Sequence, residues 1–370
     1  MSKKVLILTL LVFMLMISGC GGSDTAATND ENQVPTLNVG YIFTNHQTPL
    51  MVAANKGEAF SSNGTYLKPI VEREKYELIA DGEKVANINL VVNKSGSETT
   101  TLFAQKHLDL ALGSITAMIT GVDTDVPIKV ISPLQTEGMA LIFPQDSAIN
   151  NWDEFLTLVK ESDQPVKIGY HSPTSAPKFV LEGALDAAGL KITGDATDMS
   201  ADILLVDLKE TSNLIPALQS KQVDGWVGPS PFPEVAVTEG VGKVIIELRD
   251  LPPEGHWHDF PCCVLAARDE IIASNPKEVQ AFANLITEAS KWCNENKEEA
   301  AIITANWIGI PEEAAKASTL NYTTDPSENW LRGAGIHVET LGALDKLSGK
   351  LNGKNFADVE SELFDFQFVD

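Results

Sequence analysis

The stretches LNVGYI (residues 37–42) and TPLMVAANKGEAF (residues 48–60) place a short apolar run directly before an alanine-rich one. The first is typical of a buried β-strand, and the Thr-Pro pair that opens the second is typical of a helix N-terminus. The alternation continues, with strands predicted at 88–92, 108–112 and 128–131 and helices at 98–106 and 115–121. Short apolar strands that alternate with helices predict βαβ units and therefore an α/β fold with mainly parallel sheets.

The same pattern repeats in the middle of the chain, with strands predicted at 166–170, 203–208, 223–227 and 244–248 and helices at 152–160, 177–188 and 214–220. A folded body of about 335 residues is usually too large to form around a single hydrophobic core, so two lobes are expected. The last third is predicted to be helical, with helices at 278–294, 298–307, 312–319 and 339–351 and a final short strand at 364–370. Residues 61–87 break the rhythm and are interpreted as a surface hairpin.

The N-terminus predicts export. Two lysines precede an apolar run at 5–17 that is too short for a stable membrane span, which is typical of a signal peptide at residues 1–19. The stretch ISGC at 17–20 resembles the bacterial lipobox, which implies that Cys20 carries a lipid and anchors the protein to the membrane. Residues 20–35, rich in small polar residues, are expected to form a flexible tether. An ordinary secretion signal with an incidental cysteine is the alternative.

The composition of the chain and the absence of several enzyme motifs reduce the number of functions to consider. The formal net charge of −24 argues against nucleic acid as a partner, because its phosphates would be repelled. The sequence has no Walker-type phosphate loop, no G-x-G-x-x-G and no G-x-S-x-G elbow. Of its four cysteines, Cys20 is assigned to the lipid, and Cys262, Cys263 and Cys293 are an odd remainder that cannot all pair within the chain.

Several motifs in one order resemble the substrate-binding proteins of the nitrate/sulfonate/taurine type, the NMT1/THI5-like family. TPLMVAANKG resembles that family's "P-L-x-V-A-x-x-K-G" helix, and LFAQKHLDLALGS and ALQSKQVDGW resemble its "L-x-x-G-x-x-D-x-A" signature, with Lys106 and His107 in place of the usual pair in the first copy. NP and NENKEEAA resemble its C-terminal helices. These matching segments lie at residues 48–57, 102–114, 217–226, 275–276 and 294–301.

The resemblance implies a two-lobed, periplasmic-binding-protein-like fold of type II, with a hinge between lobes that each contain a mainly parallel sheet flanked by helices. It implies a first lobe at 36–138 and 266–370 and a second lobe at 139–265. It also implies that a small solute of the sulfonate, nitrate, bicarbonate or thiamin-precursor type is delivered to the permease and ATPase subunits of an ABC importer. We expect a monomer without cofactor, metal or catalysis.

The expected binding site follows from the position of the strands. In open α/β sheets ligands lie outside the carboxyl ends of the strands, where helix N-termini offer N–H groups to polar or anionic guests. Aromatic residues nearby are candidate pocket walls. The predicted ligand-binding residues are Tyr41, Thr44, His46, Gln47, Ser95, Gly96, Ser97, Gly113, Ser114, Ser172, Thr174, Ser175, Trp226, Gly228, Ser230 and Trp257. For any one of them, an ordinary cap, turn or core position is the alternative.

HWHDFPCC, at residues 256–263, is the most unusual stretch. It is interpreted as cleft or hinge structure, as a vicinal disulfide between Cys262 and Cys263, or as a metal site that uses His256, His258 and Cys263. Adjacent cysteines do not easily place both thiolates on one tetrahedral ion, so a metal is the least favoured of the three.

Two rival functions stay open beside solute binding. Pyrimidine-precursor synthases of thiamin biosynthesis share the implied architecture and carry a cysteine-rich site, which the pair Cys262-Cys263 resembles. The signal peptide argues against such an enzyme, because it works inside the cell. A metal receptor that uses His256, His258 and Cys263 is the other rival, and the metal content of the purified protein would distinguish it.

Overall fold

The computed structural model describes residues 34–369, and the expectations for the signal peptide, for Cys20 and for most of the tether lie outside them. Within these residues the strands are β1 (Thr36–Ile42), β2 (Thr65–Val71), β3 (Lys75–Ala80), β4 (Glu83–Asn93), β5 (Leu110–Ser114), β6 (Ile128–Thr136), β7 (Met139–Pro144), β8 (Val166–Tyr170), β9 (Ile192–Thr193), β10 (Ile203–Asp207), β11 (Gly225–Pro229), β12 (Gly242–Glu247), β13 (Pro261–Arg268) and β14 (Asn321–Tyr322).

The helices that cover them are α1 (Thr48–Lys56), α2 (Gly96–Ala104), α3 (Ile115–Asp123), α4 (Trp152–Glu161), α5 (Ala176–Ala187), α6 (Leu214–Gln219), α7 (Phe232–Thr238), α8 (Asp269–Ser274), α9 (Pro276–Glu295), α10 (Lys297–Ile308), α11 (Glu312–Lys316), α12 (Glu328–Ala343) and α13 (Phe356–Leu363). The alternation of strands and helices over the first 250 residues confirms the predicted α/β class.

The first sheet has the strand order β14-β6-β13-β5-β1-β4-β3-β2. Its centre is parallel, since β1 pairs in parallel with both β4 and β5, with Val39 opposite Leu90 and Leu110. Leu37, Val39 and Tyr41 of β1 are buried, which explains why this strand reads as an apolar run in the sequence. The helices on both faces of the sheet exclude water from it.

The insertion at 61–87 is confirmed as a hairpin. β2 and β3 pair antiparallel, and β3 pairs antiparallel with β4, so the hairpin extends the first sheet at one edge. Tyr76 and Leu78 of β3 are buried against the body, while Ile70 and Val71 of β2 are exposed. The hairpin is therefore part of the sheet and not a detached loop.

The second sheet has the order β12-β7-β11-β8-β10-β9. β8 pairs in parallel with β10 and β11, and β7 runs antiparallel to both β11 and β12. Each sheet thus has a parallel centre, and an antiparallel strand is inserted among its parallel ones, β13 in the first and β7 in the second. These two strands receive the chain where it passes from one sheet to the other.

The chain crosses between the sheets twice. The first crossing is the pair Glu137-Gly138, between β6 and β7, and the second is the segment 251–260, which leads into β13. β13 (Pro261–Arg268) lies wholly in the first sheet and spans the expected boundary between residues 265 and 266. The return to the first sheet therefore precedes that boundary.

The helix predicted at 339–351 was placed wrongly. α12 begins at Glu328, where the Ser327 hydroxyl accepts a hydrogen bond from the Trp330 N–H, and it ends at Ala343. The residues that follow have helix-like apolar spacing, but their N–H groups donate to the carboxylate of Asp123, which lies in α3. A long-range polar contact thus holds this segment as a loop.

The strand predicted at 364–370 is also wrong. Phe364 makes a single bridge to Val130, and Phe366–Phe368 form a 3₁₀ turn. The rings of Phe364 and Phe366 pack edge-on against Trp330 and stack on each other. The alternating aromatic pattern reflects this ring packing and not strand pairing.

Candidate functional site

His46 lies in the 3₁₀ turn Asn45–Gln47, directly after β1, and is buried. Its ring atom Nε2 is 3.1 Å from the backbone oxygen of Gly138 at the first crossing. Because a carbonyl oxygen can only accept, Nε2 carries the proton in the neutral ring and Nδ1 presents its lone pair. Nδ1 lies 3.3 Å from Cys262 Sγ and 3.6 Å from Cys263 Sγ. His46 therefore connects one crossing to the beginning of β13.

A β-bulge brings both cysteines to the same imidazole. In a regular strand adjacent side chains point to opposite faces. Here the pairing of β13 with β6 slips on both sides of Cys263, and Cys262 has no partner opposite it in β6. A bulge of this kind re-aims the side chains of the bulged strand. The two sulfurs therefore approach the same imidazole nitrogen although the cysteines are adjacent in sequence.

Two interpretations of the 256–263 segment are corrected by the structure. The Cys262 and Cys263 sulfurs are 4.0 Å apart and both cysteines are free, so the vicinal disulfide is not formed. His256 packs edge-on against Trp257, and the His258 ring faces Asp250 at 3.6 Å. Among the described residues, the histidine whose ring nitrogen lies near Cys263 Sγ is His46, and neither His256 nor His258 belongs to that group.

The two thiols differ in acidity. Hydrogen bonds from Cys262 and Gln47, together with the proximity of His46, lower the pKa of Cys263 to about 6 in spite of its burial. Burial raises the pKa of Cys262, which keeps its proton and donates it toward the neighbouring sulfur. The Gln47 amide lies 3.4 Å from Cys263 Sγ, and its oxygen accepts from the Thr44 hydroxyl at 2.5 Å. Of the two thiols, Cys263 is therefore the one whose surroundings favour the thiolate.

The second lobe supplies buried titratable groups beside His46. Burial, and then the imidazole of His46, lowers the pKa of His171 to about 4. Burial raises the pKa of Glu234, whose carboxylate accepts a hydrogen bond from the Ser230 hydroxyl. Burial, followed by the neighbouring Glu234, raises the pKa of Glu247 to about 7. In each of these three groups burial favours the uncharged form.

Buried polar atoms without a protein partner gather around the junction, the place beside His46 where the two crossings meet. Native proteins pair nearly all buried polar groups, so an unpaired one indicates a position that a guest group can satisfy. Ten such atoms occur among residues 34–369, and five of them are associated with His46 or β13. One belongs to the residue before His46, and two belong to residues of β6 that pair with β13. The other two belong to residues that interact electrostatically with the His46 imidazole. These five atoms are Asn45 Oδ1, Gln135 Oε1, Thr136 Oγ1, His171 Nδ1 and Glu234 Oε2.

Predicted serine and threonine residues from the two lobes meet directly. Ser97, at the start of α2, has its hydroxyl oxygen 3.1 Å from that of Ser172 and 3.0 Å from that of Thr174. The Ser114 hydroxyl donates to the Thr174 backbone oxygen at 3.2 Å. Ser175 closes the turn before α5 by donating to the Ser172 backbone oxygen at 2.9 Å. The N-termini of α2 and α5 thus face each other across the two lobes.

The crossings are held by a shared set of polar contacts. The Gly138 backbone oxygen accepts from the Ser230 N–H at 2.8 Å as well as from His46. The Glu137 carboxylate accepts from Arg249 at 2.7 Å and from the Asp259 N–H at 3.1 Å. Glu137 therefore ties the first crossing to Arg249, which precedes the second crossing, and to Asp259 within it.

The structure places the remaining predicted residues in caps and core. Trp226 is fully buried in the core of the second lobe, and Trp257 packs with Phe179 and Phe260. The Tyr41 hydroxyl accepts a hydrogen bond from Trp307, and Ser95 caps α2. Gly96 is closely packed, since an added Cβ would lie 2.8 Å from Ala117 Cβ. Gly113 and Gly228 lie within strands. A direct role for these residues in ligand contact stays a prediction.

Sequence reasoning missed several residues of the junction. His171 follows the predicted strand 166–170 and could have been found by the same rule that selected Ser172. Asn45 lies between two selected residues. Gln135 and Glu234 carry no local signal, because their place at the junction depends on the pairing of β6 with β13 and on the packing of α7.

A cavity of about 300 Å³ adjoins the junction at Asn45 and is also lined by Thr48, Ser318 and Tyr322. The Asn45 amide donates to the Ser318 hydroxyl at 2.5 Å, and the Ser230 hydroxyl lies 3.3 Å from the same oxygen. This volume is at the small end of the range for ligand pockets. The space near the junction therefore suits a compact guest.

No helix within residues 34–369 has the length and apolar character needed to span a bilayer.

The model of the NMT1-like family matches residues 30–309 of the chain. An uncharacterized protein of Methanocaldococcus jannaschii is 32% identical over 145 residues, which is 38% of this chain and 96% of that protein.

Two further relatives are more distant. A putative binding protein of Brucella abortus is 28% identical over 208 residues, which is 51% of this chain and 58% of the relative. The bicarbonate-binding protein CmpA of Synechococcus is 24% identical over 322 residues, which is 80% of this chain and 66% of the relative. The chain thus spans less than two thirds of the length of these two proteins.

Solved structures share the fold. The ligand-binding component of an ABC-type import system from Staphylococcus aureus, determined with zinc bound, has a TM-score of 0.67 and 14% identity, with 91% of this chain and 98% of that chain covered. The periplasmic nitrate-binding protein NrtA from Synechocystis has a TM-score of 0.65 and 16% identity, with 90% and 88% covered. The fold is therefore that of two-lobed periplasmic binding proteins.

Proposed function

The chain belongs to the NMT1-like family, and we propose that it captures a small polar solute between its two lobes and delivers it to the permease and ATPase subunits of an ABC importer. Relatives and structural neighbours carry the names of bicarbonate-binding and nitrate-binding proteins and of an importer's ligand-binding component. The chain acts as a binding protein and performs no chemistry on its guest.

One observation carries this proposal. Unpaired buried polar atoms from both lobes converge where the two crossings meet, with Asn45, Gln135 and Thr136 on the first-lobe side and His171 and Glu234 on the second. A guest that satisfies atoms from both lobes interacts fully only when the lobes are together. It therefore shifts the population toward the closed form by its differential affinity for the two forms.

The available donors favour a compact, hydrogen-bonding guest such as an oxyanion. The N-termini of α2 and α5 converge beside the hydroxyl groups of Ser97, Ser172 and Thr174, and helix N-termini favour negative charge. Lys178, on α5, is already paired with Glu182 at 2.6 Å in a buried salt bridge. Recognition would accordingly rest on N–H and hydroxyl donors more than on a lysine.

The N-terminal segment supports an exported, anchored location for this activity. We infer that residues 1–19 direct export and that Cys20 receives a lipid, so that the body is held at the outer face of the cell membrane by the tether at 20–35. The protein would act there as a monomer. Metabolic labelling with a fatty acid, compared between the wild type and Cys20→Ala, measures the lipid directly.

A thermal-shift screen tests the solute proposal. The chain carrying Cys20→Ala is heated with nitrate, bicarbonate or short alkanesulfonates, and a binder should raise the melting temperature in a concentration-dependent way. Ser97→Ala should weaken the binding of an anionic binder by at least about tenfold, since a hydrogen bond to a charged group contributes about 1.5–3 kcal/mol. The exposed Ser62→Ala is the matched control, and it should bind like the wild type.

The screen can also fail in an informative way. If none of these anions shifts the melting temperature at millimolar concentration, the oxyanion class is wrong. If no small solute stabilises the protein and any one of them is turned over to a product, the synthase interpretation of this scaffold gains support over solute delivery.

A further inference from the structure

The geometry of His46, Cys262 and Cys263 assigns a metal site at the junction of the crossings, and we propose that it binds one divalent cation of the zinc type. The three ligand atoms all lie within 4.8 Å of one another, and each residue is buried. This site goes beyond the proposed function, because it needs no solute and consists only of residues from the turn after β1 and from β13. It replaces the set His256, His258 and Cys263 that the sequence suggested.

The distances between the ligand atoms match those around one ion. Two sulfurs bound to zinc at about 2.3 Å in a tetrahedron lie about 3.8 Å apart, and a sulfur and a nitrogen lie about 3.5 Å apart. The structure has 4.0 Å between the two sulfurs and 3.3 and 3.6 Å from His46 Nδ1 to Cys262 and Cys263. An ion can occupy the centre of this triangle with shifts of a few tenths of an ångström.

The surroundings of the ligands are those of a metal centre. A ligating histidine usually donates its other N–H to a carbonyl or carboxylate, which fixes the ring and its tautomer. His46 does so through Nε2 to the Gly138 oxygen. The Gln47 amide is 3.4 Å from Cys263 Sγ, and Thr44 holds Gln47 in turn. Both the nitrogen and one sulfur are therefore oriented before an ion arrives.

The charge of the set suits a dication in a buried place. Two thiolates and a neutral imidazole together carry −2, so a bound Zn²⁺ would leave no net charge to bury. Three protein ligands leave a fourth position open, as in zinc sites that also bind an exogenous group. Cys293 is buried and free as well, but it belongs to no such cluster within the described residues. It serves as the matched control.

Metal binding would connect parts of the chain that are far apart in sequence. His46 follows β1, the cysteines begin β13, and the outer imidazole nitrogen is bonded to the first crossing at Gly138. An ion would fasten the turn after β1 to the return strand beside both crossings. We therefore expect zinc to raise the melting temperature, and a chelator to reverse the rise.

The test uses the Cys20→Ala chain, kept reduced with a phosphine and freed of metal. Zinc alone should bind at one ion per chain by elemental analysis, and Co²⁺ should give a thiolate-to-cobalt charge-transfer band. Cys262→Ser and Cys263→Ser should each weaken zinc binding by more than the roughly 10–100-fold that loss of an outer-shell partner causes. Cys293→Ser should bind zinc like the parent chain.

Two results would overturn the site: zinc affinity equal in the parent and in the Cys262→Ser/Cys263→Ser double variant, or a cobalt complex without the thiolate band. If the serine variants fail to fold, the cobalt spectrum of the parent chain and the protection of the two thiols from alkylation by zinc decide the matter. Repeating the anion screen in a chelator separates the proposals, because solute binding that persists there leaves the proposed function intact.

Discussion

Replacing Gly138 with alanine measures how closely the first crossing is packed. Gly138 has a φ of 65°, and an added Cβ would lie 2.0 Å from Leu320 Cδ2. The left-handed conformation costs a residue with a Cβ about 1–2 kcal/mol, and overpacking a buried position costs about 1–3 kcal/mol. Because Leu320 is buried and must move to admit the methyl group, we expect the free energy of unfolding to fall by about 2–5 kcal/mol.

Urea unfolding followed by tryptophan fluorescence gives this difference, and Gly240→Ala is the control. Gly240 has a φ of 67° with nothing within 4 Å of an added Cβ, so it should lose only the conformational part, about 1–2 kcal/mol. In a Leu320→Ala background the Gly138→Ala change should approach the cost at Gly240. Equal losses at Gly138 and Gly240 in the otherwise unchanged chain would refute the reasoning.

Two further predictions concern buried charges. Arg268 lies 2.6 Å from Asp109 with both side chains nearly buried, so Arg268→Met should lower the free energy of unfolding by about 3–5 kcal/mol in chemical denaturation. The control is Lys106→Met, at an exposed ion pair, which should cost less than about 1 kcal/mol. Similar losses of stability in the two variants would contradict this reasoning. Burial raises the pKa of Glu247 from 4.5 to about 7, so its contribution to stability is greatest below pH 4.5 and is lost as the pH rises through 7. Glu247→Gln should flatten that part of the melting-temperature profile, and an unchanged profile would count against the burial of a carboxyl.

The parts of the fold that could be predicted are those in which local pattern and burial agree. β1 reads as a strand because its residues are buried within a parallel sheet, and the hairpin at 61–87 was found because it interrupts a regular rhythm. The helix prediction for the segment after α12 was wrong because the carboxylate of Asp123, more than two hundred residues earlier, accepts hydrogen bonds from the N–H groups of that segment and holds it as a loop. Such long-range contacts leave no trace in the local sequence.

The candidate site likewise contains residues that the sequence predicts and residues that it does not. The strand-end rule located His46 and the hydroxyl groups of Ser97 and Ser172, because the ends of parallel strands lie at one edge of a sheet. It could not show that Cys262 and Cys263 share one side of β13, since a bulge depends on how two strands slip past each other. The sequence therefore suggests His256 and His258 as partners of these thiols, whereas the structure brings His46, from the turn after β1, to them.

The Glu137 carboxylate has a consequence for motion. It accepts from Arg249 before the second crossing and from Asp259 within it, while its own backbone forms the first. Two independent linkers would let the lobes slide and twist as well as bend. With both linkers fastened to one side chain, sliding is restricted and the remaining freedom is rotation about Glu137, so the opening between the lobes would widen most at positions far from that residue.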